Sequence, residues 1–119
     1  MLELVYGIGD VWEDKLPKYL FYSTEKSARL LTHPDHVSSW QSRRPRFDEY
    51  GGAIRTEKGL LSFSGLREDL DHTLMVAVGA REHVLTGDEV IKIMNILTQG
   101  KPEGEVQAAR AALSHCIGI

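Results

Sequence analysis

The chain has 119 residues, of which 42% are hydrophobic and 26% are charged, so its length and composition fit one globular domain over residues 1–119. The 14 Lys and Arg side chains against 17 Asp and Glu side chains leave a net charge of −3, which argues against a nucleic-acid partner held through bulk phosphate attraction. Cys116 is the only cysteine, which excludes an internal disulfide and favours a reducing compartment.

The hydropathy of the chain predicts no membrane partner. Residues 1–8 lack the basic start and the long apolar stretch of a secretory signal. The longest apolar run, residues 74–80, is far shorter than the roughly 20 residues that a membrane-spanning helix needs. We therefore expect a cytoplasmic protein.

Two strands and a helix are predicted in the first third of the chain. Residues 2–8 are rich in β-forming side chains and alternate in part, which predicts a strand. The aromatic run at residues 19–22 predicts a second strand. Ser23 or Thr24 can cap the helix that follows, and Glu25 in its first turn suits the exposed N–H groups there.

A long connection is predicted next. The pair His33-Pro34 ends the helix, because the residue before a proline avoids the α region. Residues 32–48 are irregular, and one helical turn is expected around residues 35–40. Long connections in small domains are often functional, so this segment is a place to look for a site.

A hairpin followed by a helix is predicted over residues 51–80. Residues 53–56 and 60–64 have the composition of two short strands, and Gly59 between them can supply the positive φ of a tight turn. From Leu66 onward the apolar residues recur at spacings of three and four, which is typical of an amphipathic helix.

Two further helices are predicted at the C-terminal end. Thr86 and Glu89 have the spacing of a capping box, and Gly100 and Pro102 can end the helix that it begins. A last helix is expected at about residues 103–116. The apolar stripes of these helices fit either a core layer or a dimer interface. The element order predicts an α+β domain with a mostly antiparallel sheet.

The segment from residue 50 to residue 77 also carries a set of short motifs. They are a double glycine, a Ser-Gly pair at the end of a strand and an acidic helix start, at Gly51-Gly52, Ser64-Gly65, Asp69 and Asp71-His72. Upstream, residues 24–28 contain a lysine and an alanine on a predicted helix. In these motifs the chain resembles the GlcG/HbpS-like family of haem-degrading or haem-binding-like proteins, over about half of its length.

The resemblance implies a profilin-like antiparallel sheet with flanking helices, assembled into a homo-oligomer that binds haem or a small metabolite. Two features depart from the family pattern. The first strand begins too early to leave room for the usual first helix, and the two C-terminal helices are extra.

Several residues are candidates for ligand binding. Gly51 and Gly52 can let a ligand approach the backbone, and Ser64 and Gly65 can present N–H groups to an anion at a helix start. The same residues are also what a turn and a helix cap need. Arg43 and Arg44 can hold a carboxylate or phosphate through paired bonds, or can be solvated loop residues.

A catalytic base is the second possibility for residues in this segment. His72 can share a helix face with Asp69 or Glu68, and a carboxylate beside a histidine raises its basicity. The neighbouring Asp71 points about 100° away. The same acidic residues also suit a solvated first turn, whose dipole favours negative charge.

His33, Asp35 and His36 are the candidates for a metal site. Imidazole and carboxylate suit zinc or a similar divalent ion, but a third ligand is not visible nearby, and exposed loop histidines are an alternative interpretation. Haem would need an axial histidine in an apolar pocket, and the sequence singles none out.

The sequence thus supports three hypotheses for function. The leading one is a non-enzymatic small-ligand-binding or sensing domain that acts as a homo-oligomer. It rests on the family resemblance, on the absence of a catalytic or phosphate-loop signature, and on the glycine-lined hairpin and helix start. The alternatives are a small enzyme that uses His72 with Asp69 or Glu68, and a protein-interaction module that docks through its C-terminal helices.

Overall fold

Residues 15–99 are described by the computed structural model of the chain, and the architecture below is that of these residues. The elements are helix α1 (Leu16–Leu31), two short 3₁₀ turns (Ser39–Ser42 and Pro45–Phe47), strands β1 (Ala53–Thr56) and β2 (Gly59–Ser62), and helices α2 (Glu68–Arg81) and α3 (Gly87–Thr98). The predicted strand at residues 2–8, the helix end at Gly100 and Pro102, and the last helix at residues 103–116 lie outside the described residues.

Helix α1 corrects two predictions. Residues 19–22 are helical and do not form a strand, and Thr24 lies inside the helix, which begins after Lys15 with a proline in its first turn. A run of four residues is too short to distinguish a strand from a helix by its pattern. In the structure this segment is helical, and the helix buries Lys26, Arg29 and Leu30, which lie on one of its faces. The helix ends at Leu31, as the His33-Pro34 pair predicts.

The connection from α1 to β1 is held by local capping and by side-chain contacts. Ser38 caps the first 3₁₀ turn, because its hydroxyl accepts a hydrogen bond from the Trp40 amide at 3.1 Å. The Gln41 side chain in turn accepts a hydrogen bond from the Ser38 amide. The predicted helical turn thus exists, shifted to Ser39–Ser42. Ser38 also bridges to Ile54, so this connection runs beside β1.

The hairpin and the start of the helix after it follow the sequence, but the apolar face predicted from Leu66 onward is wrong in part. Leu66 and Leu70 are 54% and 46% exposed, and the buried residues of α2 include Asp71 and His72. β1 and β2 pair antiparallel from Ala53 with Ser62 to Thr56 with Gly59, and Gly59 has the predicted positive φ of 137°. α2 begins with Glu68, Asp69 and Asp71 in its first turn, where the helix dipole favours acidic residues.

Helix α3 has the predicted capping box. The Glu89 amide donates to Thr86 Oγ1 at 3.2 Å, and the Thr86 amide donates to Glu89 Oε1 at 2.9 Å. The apolar stripe of α3 is a core layer, because Ile93, Met94 and Leu97 are each at most 4% exposed.

One apolar core joins the hairpin to α2 and α3. Its buried members come from all three and from the α2–α3 connection: Ile54, Met75, Val76, Ala77, Leu85, Ile93, Met94 and Leu97. Burial of one such side chain contributes roughly 1.5–3 kcal/mol to folding. The structure confirms the predicted α+β class with an antiparallel sheet. Within residues 15–99, no helix combines the length and the apolar composition needed to cross a bilayer.

Candidate ligand-binding site

A buried ion pair joins α1 to α2. Lys26 Nζ donates to Asp71 Oδ2 at 3.1 Å and to the Phe63 carbonyl at 2.8 Å, and the side chains are only 2% and 3% exposed. Asp71 Oδ1 accepts from the Leu66 amide at 2.9 Å. These bonds tie the turn between β2 and α2 to the middle of α1.

Gly52 makes room for this pair. Its φ of 131° is a conformation that other residues rarely adopt, and a Cβ placed there would lie 2.7 Å from Lys26 Nζ. It would also lie 3.0 Å from Asp71 Cβ and from the Phe63 carbonyl oxygen. The Lys26 ammonium group therefore packs directly on a backbone that has no side chain.

A cavity of about 440 Å³, widely open to solvent on one side, lies beside the ion pair. We name it the tyrosine–lysine cavity, and its lining residues come from α1, from Tyr50 and from the turn that leads into α2: Lys18, Tyr19, Tyr22, Lys26, Tyr50, Ser64, Gly65, Leu66, Arg67, Glu68 and Asp71. The rings of Tyr22 and Tyr50 meet edge to face, with centroids 5.9 Å apart. Its size is within the range of ordinary small-molecule sites, about 300–1,000 Å³.

Most charges around the tyrosine–lysine cavity are paired. Glu68 binds Arg43 and accepts from the Gly51 amide at 3.0 Å, and Arg67 binds Asp69 through bonds of 2.6 and 2.9 Å. Lys18 has no ion-pair partner within residues 15–99. The lining residues carry three cationic and two acidic groups, an excess of one positive charge.

Burial perturbs both members of the ion pair. Desolvation lowers the pKa of Lys26, against the opposing effect of Asp71, which favours the charged amine. Desolvation also raises the pKa of Asp71, against the opposing effect of Lys26. Burial thus brings the proton affinities of the amine and the carboxylate closer together than they are in water.

Arg29 fixes the tyrosine side of the cavity. Its guanidinium, on a side chain that is 8% exposed, donates to the Ser39 carbonyl at 2.8 Å, to Ser42 Oγ at 2.6 Å and to the Tyr50 carbonyl. The same group pairs with Glu25 at 2.8 Å. One buried arginine thereby holds the connection between α1 and β1, which places Tyr50 at the cavity.

The predicted ligand-binding residues are distributed around this site. Ser64 and Gly65 line the tyrosine–lysine cavity, and Gly52 packs against Nζ of Lys26. Gly51 packs on Trp40, where a Cβ would lie 2.4 Å from the ring, and its amide binds Glu68.

The two predicted arginines lie away from the lysine. Arg43 stacks on Trp40, with 4.4 Å from its Cζ to the ring centroid, and lines a second cavity of about 480 Å³ with His36 and Ile96. Arg44 pairs with Glu49 at 2.6 Å and is largely exposed.

The predicted catalytic residues are held by different partners. His72 is fully buried, with Nδ1 3.0 Å from Ser38 Oγ and its ring 6.0 Å from the Trp40 ring. Glu68 binds Arg43 and Asp69 binds Arg67. His72 is not among the residues that line the tyrosine–lysine cavity.

The predicted metal ligands His33 and His36 stack on each other, with centroids 4.7 Å apart and ring planes 9° apart. His33 Nδ1 lies 2.8 Å from the Arg29 carbonyl, and Asp35 is exposed. Parallel stacked rings direct their nitrogens within separate planes, which does not suit one shared ion. In residues 15–99, no group of three or more His, Cys, Asp or Glu could hold a metal.

The tyrosine–lysine cavity does not fit haem. Five of its eleven lining residues are charged, and the only lining side chains of a kind that ligates haem iron are the three tyrosines. A haem pocket needs an apolar wall around an axial ligand. The haem prediction thus has no support from this cavity.

Sequence reasoning did not select Lys26 or the three tyrosines as site residues. In the sequence, Lys26 was noted only as part of a motif of the resembling family. It was not considered as a site residue, because the residues before it were assigned to a strand and a helix cap. The spacing of Tyr19, Tyr22 and Lys26 at three and four residues is the pattern that could have placed them on one helix face.

No protein-family model, curated protein or solved structure matches this chain. The resemblance to the GlcG/HbpS-like family stays a prediction. The geometry of the site is therefore what indicates the function of this chain.

Proposed function

We propose that this chain is a small-ligand-binding domain and that its ligand is a small organic anion bound in the tyrosine–lysine cavity. The observation that carries the proposal is the convergence of Lys18, Lys26 and three tyrosines on one cavity of about 440 Å³. Ligand sites of this kind combine apolar or aromatic walls with a few fixed polar groups.

The charge around the cavity supports an anionic ligand. Lys18 is the lining cation without an ion-pair partner among residues 15–99, and the lining residues together carry one excess positive charge. A ligand with one carboxylate or phosphate group would balance that charge.

The tyrosines support a ligand with a flat or apolar body. Tyr22 and Tyr50 present an edge-to-face wall, and burial together with the nearby Asp48 raises the pKa of Tyr50. The Tyr50 hydroxyl therefore keeps its proton, which it donates to Asp48 Oδ1 at 3.3 Å. The ring faces suit a small carboxylic acid with a carbon skeleton that packs on them.

A ligand screen with a charge variant tests the proposal. We expect small aromatic and aliphatic carboxylates or phosphates to raise the melting temperature and to shift the NMR signals of Tyr22 and Tyr50. Lys18→Gln should weaken binding by up to about fivefold, the effect of an exposed charge pair worth roughly 0.2–1 kcal/mol.

Lys92→Gln is the matched control for that variant. It removes the same charge from an exposed position on α3, away from the cavity, and should leave binding unchanged. Equal effects of the two substitutions, or tyrosine signals that no anion shifts, would contradict the proposal.

We also propose that the chain acts as a homo-oligomer. Its support is an exposed apolar surface on the first half of α1, where Leu16, Leu20 and Phe21 are 47%, 42% and 64% exposed. Large apolar side chains that cluster on a surface often mark an interface between proteins.

A further inference from the structure

Lys26 has a feature that anion binding alone does not require: its amine is buried against a carboxylate at the edge of a cavity. We propose that Lys26 is a nucleophile that forms an imine with the carbonyl carbon of a small oxo acid, with Asp71 as the acid and base. This inference rests on the proposed function, because it takes the tyrosine–lysine cavity as the place where the oxo acid binds.

The position of the amine suits attack on a bound carbonyl group. When Lys26 is neutral, its Nζ has two N–H groups and one lone pair, and one N–H group stays bonded to the Phe63 carbonyl. The proton that Asp71 takes from the amine then lies between Asp71 Oδ2 and the lone pair, so the lone pair becomes available when that carboxyl group turns its O–H away. Lys26 and Asp71 are both among the lining residues, on side chains that are 2% and 3% exposed, so a bound oxo acid lies beside the nucleophile and the proton carrier.

The charged groups around Nζ permit a neutral amine. Burial lowers the pKa of Lys26, while Asp71, Glu68 and Glu25 favour its protonated form to a smaller extent. Glu68 and Glu25 are themselves paired with Arg43 and Arg29, so Asp71 is the acid in direct contact. Desolvation of the amine is one of the ways in which a lysine nucleophile is activated.

The reaction balances without any other reactant. The ammonium group of Lys26 passes a proton to Asp71, and the neutral amine adds to the carbonyl carbon while the carbonyl π electrons move to oxygen. A proton moves from nitrogen to that oxygen to give a carbinolamine. Asp71 then protonates the hydroxyl group, water leaves as the nitrogen lone pair forms the C=N bond, and a protonated imine remains beside the Asp71 carboxylate.

The lining of the cavity selects the class of carbonyl compound. An oxo acid carries a carboxylate next to its carbonyl group, and Lys18 with the hydroxyls of Tyr19 and Tyr22 can hold that carboxylate while Lys26 reaches the carbonyl carbon. A neutral aldehyde has no group that would use Lys18.

Reductive trapping on the unmodified protein tests the inference. Glyoxylate with cyanoborohydride converts each imine into a stable carboxymethyl group on the lysine, and peptide mass spectrometry locates it. At limiting glyoxylate and near-neutral pH, we expect Lys26 to carry most of the label, although the exposed lysines are more accessible, namely Lys15, Lys18, Lys58 and Lys92. In urea this preference should disappear.

The inference is wrong if the folded protein is labelled on its exposed lysines while Lys26 stays unmodified. Asp71→Asn should slow labelling of Lys26 severalfold without changing that of Lys92. If this variant does not fold, the distribution of label among the lysines of the protein without substitutions still tests the inference.

Glycolate separates this inference from the proposed function, because it has a carboxylate but no carbonyl group. If glycolate and related anions shift the tyrosine signals while Lys26 is never labelled, the cavity binds anions and the imine proposal fails. If Lys26 is labelled but no anion binds saturably, the ligand-binding proposal fails and the nucleophile stands.

Discussion

Gly52 is the residue whose backbone determines how closely Lys26 can approach the sheet. Its φ of 131° excludes most side chains, and the space above its Cα is filled by Lys26 Nζ. Gly59 has nearly the same φ, 137°, but a Cβ there would meet nothing within 4 Å. The two glycines therefore separate the cost of backbone strain from the cost of displacing the lysine.

We predict that Gly59→Ala lowers the free energy of unfolding by about 1–3 kcal/mol, the cost of a strained backbone conformation. Gly52→Ala should cost at least about 1 kcal/mol more, because the added methyl group overpacks a filled site. Urea denaturation of both variants measures the difference. Equal losses would mean that Lys26 moves aside without cost.

The ion pair of Lys26 and Asp71 should be more costly to break than to replace. Lys26→Met leaves a buried carboxyl group without its cation, and we predict a loss of about 3–5 kcal/mol in the free energy of unfolding. The double variant Lys26→Met with Asp71→Leu should recover part of that loss, because no buried charge remains, while the Leu66 amide and the Phe63 carbonyl lose their side-chain partners. A double variant as unstable as the single one would contradict this prediction.

Alkaline pH should stabilise the folded protein through Lys26. Burial lowers the pKa of this amine below its ordinary value of 10.5, so between the two values the unfolded chain binds more protons than the folded one. The free energy of unfolding should therefore rise from pH 7 to about 10, relative to the double variant, which lacks this group. Urea denaturation across that range checks the sign, and a difference that stays constant or falls would contradict it.

Among the elements, α1 shows most clearly what the sequence leaves undetermined. Its buried face carries Lys26 and Arg29, and a hydrophobic pattern does not detect a face that is buried through polar contacts. The partners of Lys26 lie 37 and 45 residues further along the chain, and those of Arg29 include Tyr50, 21 residues away. Only the tertiary structure brings these groups together.

The hairpin, α2 and α3 were predictable because their signals are local. A turn glycine, an acidic first turn and a capping box each act within a few residues of one another. Ser64 and Gly65 could be placed in the turn before α2 for the same reason, and they line the tyrosine–lysine cavity there. Tyr19 and Tyr22 were missed because the run that contains them was assigned to a strand.

Two threonines test the corrected boundary of α1. Thr86 caps α3, so Thr86→Ala should lower the free energy of unfolding by about 1 kcal/mol. Thr24 lies exposed inside α1, so Thr24→Ala should be neutral or stabilising by a few tenths of a kcal/mol, because alanine is the better helix former. If Thr24→Ala instead costs as much as Thr86→Ala, Thr24 is a cap and α1 begins after it.

At the scale of the whole molecule, the exposed apolar surface of α1 predicts association. Sedimentation velocity should show a homo-oligomer, and Phe21→Ser should raise its dissociation constant at least about tenfold, the effect of losing one buried aromatic side chain. Ile91→Ser on α3, at a position of similar exposure, 59%, is the matched control. A monomer at all concentrations would contradict the proposed homo-oligomer.

The walls of the tyrosine–lysine cavity belong to three stretches that are far apart in the chain: residues 18–26, Tyr50 and residues 64–71. A ligand that contacts all three acts as a noncovalent cross-link, since none of them can move away without releasing it. At a concentration one hundred times its dissociation constant, such a ligand adds about 2.7 kcal/mol to the stability of the folded chain. Binding should therefore slow amide hydrogen exchange in all three stretches together, the loop that carries Tyr50 included.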